Sequence, residues 1–235
     1  EERSLSARLQ KASTTAATQL VSLLMSEHQL MARLASVKHY FLLDQGDFFI
    51  HFLDSAEAEL TKPVGEISRA RLQAKLDIAL RQSAVADPYR ESLTCGLLPY
   101  NLTNQLLRII NASKTASAAP PPPQPASRTP GLDAFTFEYE VSWPLSLLLS
   151  KHAITKYQLL FRHLFHCKHV ERQLSSSWLS QQEAKQLLGI SSSLTAAFGL
   201  RQRMLHFLFN IQHYMMFEVR ATLFFFLPRE STHPL

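Results

Sequence analysis

Residues 157–174, YQLLFRHLFHCKHVERQL, have a period that only a helix can use. At about 100° per residue, Tyr157, Leu160, Phe161, Leu164 and Phe165 gather on one side, while Arg162, His166, His169 and Gln173 line up on the other. The apolar half packs on its own domain. The narrow stripe with cationic members is expected to face outward toward a partner.

The flanking sequence is also helical. Residues 5–43 place Leu20, Leu24, Met31, Leu34 and Phe41 near one face and predict one long first helix, stopped by Gly46. Asp47 is expected to cap a second helix over 48–60 carrying Phe49, Phe52, Leu53, Ala56 and Leu60. Pro63 and Gly65 end it, and Ser68 caps a third helix with Leu72, Leu76 and Leu80. After an irregular stretch punctuated by Pro88 and Pro99, a fourth helix is expected around 102–110. Ser175 to Ser177 predict a break, then a short helix over 178–188 and a last strong helix over 195–219. In that last helix, Met204, Phe207, Leu208, Ile211, Tyr214, Met215 and Phe217 cover more than half the circumference.

Two segments depart from this pattern. Residues 111–131 include KTASAAPPPPQPASRTPG, which has almost nothing to bury, and its prolines favour extended solvated backbone; a disordered surface loop is expected. Next, Phe135, Phe137, Tyr139, Val141 and Trp143 alternate with Thr136, Glu138, Glu140 and Ser142, a strict period of two ended by Pro144. A lone strand needs a partner, either elsewhere in the chain or in another molecule. The expected class is mainly α: a helical bundle with one short strand or small β element and a disordered Pro-rich loop.

Composition then narrows the function. With 235 residues, 46% hydrophobic and 18% charged, the chain can bury on the order of 70% of its unfolded surface. A net charge of +5 and a pI near 9.3 favour an acidic partner. Two cysteines and an N-terminus without an apolar leader point to a reducing compartment, and no apolar run reaches the ~18 residues that span a bilayer. His163 and Cys167 lie one turn apart, but a metal needs three or four converging ligands, so neither a metal nor a cofactor is expected. With six glycines there is no phosphate cradle, and no nucleophile sits in a strand–turn–helix elbow. No Lys/Arg stripe interleaves with exposed aromatics, so nucleic acid is not the expected partner, nor is a membrane. The reading is a protein-binding module, not an enzyme.

Three strings, SVKHYFLLDQGDFFIHFLD (36–54), GLDAFTFEYEVSWPLSLLLSKHAITKYQLLFRHLFHCKHVERQL (131–174) and LRQRMLHFLFNIQHYMMFEV (200–219), together resemble the C-terminal grip domain of the gamma-tubulin complex proteins. The resemblance implies a mostly helical domain that binds gamma-tubulin and supports microtubule nucleation. The implied location is the cytoplasm and cytoskeleton, at microtubule-organising centres, centrosomes and spindle poles. It also implies lateral association with other complex components, component 3 in the full-length protein, mainly through an N-terminal domain outside this chain. Residues 1–219 then form part of the grip domain, with 111–131 an inserted loop and 220–235 a divergent tail. The alternative is a generic helical scaffold or tether for another protein or nucleic acid.

The resemblance assigns no contact residues, so these rest on the physical reading. The expected gamma-tubulin surface combines Glu138, Glu140 and Ser142 on the polar side of the strand with Arg162, His166 and His169. Lys156 and Arg172 flank it as further charges. Trp143, Tyr157, Phe161 and Phe165 are expected to hold that platform rigid, and charge complementarity would set orientation and association rate.

Overall fold

The computed structural model describes residues 2–44, 46–83, 86–107, 129–188 and 191–225. The expected single first helix is two, α1 (Glu2–Ser26) and α2 (Leu30–Phe41). Gln29 divides them in left-handed backbone at φ 48°, and its side-chain oxygen accepts from the Tyr89 hydroxyl at 2.8 Å. No glycine or proline marks this break; a contact sixty residues away accompanies it. Helix α3 (Asp47–Leu60) buries Phe48, Phe49, Phe52, Leu53, Ala56 and Leu60. Asp47 is not its cap, as expected, but its first residue. Its carboxylate accepts from Ser83 Oγ at 3.0 Å, tying α3 to the end of α4 (Arg69–Gln82). Ser68 does cap α4, accepting from Arg71 N, and Leu72, Leu76 and Leu80 are buried.

Residues 102–107 form the described part of α5. Most of the predicted Pro-rich loop lies outside the described residues. Its last three residues are described: Thr129 O accepts from Val64 N, Pro130 pairs with Pro63, and Gly131 opens the short α6 (Gly131–Ala134). The predicted strand is β2 (Phe135–Tyr139), ending four residues earlier than expected, and Trp143 is 77% exposed instead of bracing the platform. Its antiparallel partner is β1 (Leu93–Leu97), with Cys95 opposite Phe137. The sequence LTCGL escaped notice because it is short and carries a glycine.

The two edges of this small sheet are closed by glutamines. Gln73 Oε1 accepts from Cys95 N at 2.9 Å, and Gln158 Nε2 donates to Phe137 O at 2.9 Å. Phe135 and Phe137 enter an aromatic core with Phe52, Phe161 and Phe165; Phe137 and Phe161 have ring centroids 4.4 Å apart. Tilted and edge-on rings of this kind add to the stabilisation from buried area.

Helix α7 (Lys151–Leu188) is unbroken for 38 residues, a rod of about 57 Å. Ser175 to Ser177 do not interrupt it. Ser175 Oγ donates back to Glu171 O and Ser177 Oγ to Leu174 O, which satisfies the hydroxyls inside the helix. Helix α8 (Ser191–Phe225) continues past Val219, so residues 220–225 are helical where a divergent tail was expected, and 226–235 lie outside the described residues. The fold is mainly α with a two-stranded sheet. Among the described residues, no helix is long and apolar enough to cross a membrane.

Candidate interaction surface

Arg162 overturns the outward stripe. It lies on the flank of the apolar arc of α7, about 60° from Phe165, and is only 1% exposed. Its guanidinium donates to the carbonyls of Tyr100 (2.6 Å) and Asp133 (2.5 Å) and to Gln105 Oε1 (2.5 Å). The physical reason is backbone accounting. Helix α6 stops at Ala134, so its last carbonyls lack intrahelical donors; Leu98 N donates to Ala134 O, and the planar fork of Arg162 supplies the donor to Asp133 O. Arg162 straps α7 to α5 and α6 and is not available to a partner.

The other stripe residues are also engaged. His166 Nε2 lies 3.4 Å from Asp133 Oδ1, yet burial pushes its imidazole below the ordinary value despite that carboxylate and favours the neutral form. His169 meets the Gln173 side-chain amide at 2.9 Å. Arg172 pairs with Asp54, and with Glu57 at 3.4 Å, joining α7 to α3. Nearby, Cys167 is buried with its sulfur 3.8 Å from His163 Nε2. No three His, Cys, Asp or Glu side chains converge as metal ligands among the described residues.

The strand residues and Lys156 fare differently. Glu138 is half-exposed and pairs with Arg69 at 3.3 Å, while Glu140, Ser142 and Lys156 are exposed. Glu138 and Glu140 line a cleft of about 750 Å³ between the outer side of the sheet and the first turns of α7, together with Ser146, Lys151, Thr155 and Gln158. Lys156 follows Thr155 but does not line it. Thr136, expected on the wet side with these glutamates, is buried. The structure thus groups the strand carboxylates with Lys151, and leaves Arg162, His166 and Arg172 in internal contacts. Lys151 and Gln158 were missed because nothing local marks them; they matter only once β2 folds beside the start of α7.

A family profile described as gamma tubulin complex component C-terminal matches residues 30–224, the span from α2 almost to the end of α8. This chain belongs to that family. It is 49% identical over 222 residues to gamma-tubulin complex component 2 of Mus musculus, covering 93% of this chain and 24% of the relative. It is 46% identical over 206 residues to the component 2 homolog of Drosophila melanogaster, covering 87% and 24%. Similarity extends to the spindle pole body component alp4 of Schizosaccharomyces pombe, 35% identical over 247 residues and covering 86% and 32%. The chain therefore spans about a quarter of the length of the component 2 relatives it matches. For a gamma-tubulin complex C-terminal domain, the family profile reaching residue 224 agrees with α8 running on past Val219.

Proposed function

We propose that this chain serves within a gamma-tubulin complex as a gamma-tubulin-binding element that supports microtubule nucleation at centrosomes and spindle poles, without a catalytic step. The observation that carries this reading is the family match across α2 to α8, joined to 49% identity with component 2 over nearly the whole chain. Relatives include other members of the same complex, such as component 4 of Mus musculus and component 3 of Arabidopsis thaliana. Lateral association with component 3 in a longer protein follows from the same reading.

The gamma-tubulin contact in this proposal is the cleft side: Glu138, Glu140 and Lys151 line the cleft, with the exposed Ser142, Trp143 and Lys156 neighbouring them in sequence. His169 lies further along α7, and Arg162 acts only from behind. Exposed charges of both signs favour orientation and rate over raw affinity. The test is a pull-down of purified gamma-tubulin by residues 1–235. Glu140→Lys combined with Lys156→Glu should weaken capture while the helical circular dichroism stays unchanged. Equal capture by the double variant moves the contact to another face. A folded, monodisperse chain that captures none overturns the gamma-tubulin reading itself.

A further inference from the structure

The corner between α1 and α2 is made by a residue ill suited to it. Gln29 has φ 48° and ψ 47°, a left-handed conformation that crowds its Cβ against the following carbonyl and that glycine adopts freely. Two contacts go with it. The Tyr89 hydroxyl donates to Gln29 Oε1 at 2.8 Å, and Leu24, five residues back on α1, is buried at 1% exposure.

The sequence across the corner carries a second register. The buried residues Leu30, Leu34, Val37 and Phe41 share one line along α2. On a straight continuation of that helix, Leu23 would fall about 10° from the centre of the line and Leu24 about 110° away. Ala12 and Ala16 would extend the same line. The structure makes the opposite choice: Leu24 is buried, and Leu23 is 45% exposed.

We propose that this corner is a two-state latch. In the closed form, the one described above, Tyr89 and Leu24 hold α1 bent at Gln29. In the open form Gln29 turns right-handed, α1 and α2 join into one helix over residues 2–41, and Leu23 replaces Leu24 on the line of α2. Opening relaxes the backbone of Gln29 and restores the helical hydrogen bonds that the corner interrupts, at the loss of the Leu24 burial and the Tyr89 bond. Each side of this balance amounts to a few local interactions, so single side chains tip it. The closed form also braces one wall of the cleft. Arg33 stacks on the Tyr89 ring at 3.9 Å and donates to the Tyr139 hydroxyl at 3.4 Å, and Tyr139 lines the cleft.

Spin labels on Lys11→Cys in α1 and Ala58→Cys in α3 read the latch as a distance in the whole chain. Both sites are exposed, Lys11 stands 18 residues from the corner, about 27 Å along α1, and native Cys95 and Cys167 are buried. Gln29→Gly, at ease in the left-handed region, should show one distance. Gln29→Ala disfavours that region and removes the acceptor for Tyr89, so it should add a second distance, with an open-to-closed ratio about tenfold or more above that of Gln29→Gly. Tyr89→Phe should move the same way by less, and the helical circular dichroism should hold or rise. In Ala32→His, the introduced imidazole lies one turn from His28 on a continuous helix alone. Added zinc should therefore drive this variant to the second distance and leave the chain with Ala32 unchanged. A single distance in every variant, equal responses to Gln29→Gly and Gln29→Ala, a loss of helical signal in Gln29→Ala, or no effect of zinc on Ala32→His would each overturn the proposal.

Discussion

Arg162 Nη1 donates to Gln105 Oε1 at 2.5 Å, joining the first third of the longest helix to a segment that precedes it by 57 residues. The same guanidinium holds two backbone carbonyls. A positive charge is thus spent on the interior of a protein whose net charge alone would suggest a basic binding face.

Replacing Arg162 by methionine keeps much of the volume but removes the donor to one buried acceptor, Gln105 Oε1, and to two part-buried carbonyls. Each unsatisfied group costs about 1–3 kcal/mol, with strong overlap between them, so a loss of about 3 kcal/mol in urea unfolding is expected. Arg162→Lys should recover only part of it, since an ammonium lacks the planar fork. A loss below about 1 kcal/mol for the methionine variant would show that the strap is incidental.

Gly131 has no room for a side chain. A Cβ there would lie 2.2 Å from Ile67 Cδ1 and 2.7 Å from the backbone oxygen of Leu60. Gly131→Ala should destabilise by about 1–3 kcal/mol, as overpacking against backbone does. At Gly65 nothing lies within 4 Å, so Gly65→Ala is the matched control and should leave the melting temperature nearly unchanged.

Removing the edge closure at Gln73 should be felt locally. Gln73→Ala leaves Cys95 N without its side-chain acceptor, so amide exchange at Cys95 should accelerate well before global stability changes. An unchanged exchange rate would mean that β1 is protected by packing alone.

Two histidines make stability fall with acid. Burial lowers the pKa of His39 although Asp87, Asp47 and Asp44 face it, and lowers that of His166 although Asp133 does. The unfolded imidazoles take up protons first, so stability is full above about pH 6.5 and declines as the pH falls from there toward the lower folded values. The urea midpoint should drop between pH 7 and 5.5, and His39→Gln or His166→Gln should each flatten that slope. A midpoint that rises with acid over this range would show the ion pairs outweighing burial.

Much of the core was legible because its signals are local. The three-and-four spacing of Phe49, Phe52, Leu53 and Leu60 and the alternation of Phe135, Phe137 and Tyr139 predict buried faces that are buried. What escaped depends on distant partners. Gln29 turns where Tyr89 meets it, and LTCGL becomes a strand only beside β2. Arg162 misled for a related reason: the periodicity of α7 gives the angle of a side chain, but not the carbonyls of Tyr100 and Asp133 waiting at that angle. The alternation predicts one wet side, but Thr136 within β2 is buried, while Glu140, one residue past the strand, is exposed.

The length of α7 has a mechanical consequence. Its first half is clamped among Phe49, Phe135 and Phe137 and tied down by Arg162, whereas most of the described side chains from Gln173 to Glu183 are exposed. A rod anchored in the core at one end and braced by α8 at the other, where Trp178 meets Phe198, transmits force along its length. Load applied near Leu179 reaches the aromatic cluster as torque rather than dissipating in a joint, because the three serines where a joint was expected are hydrogen-bonded into the helix. Any protein that grips the outer end of the α7–α8 pair therefore acts directly on the packing of β2.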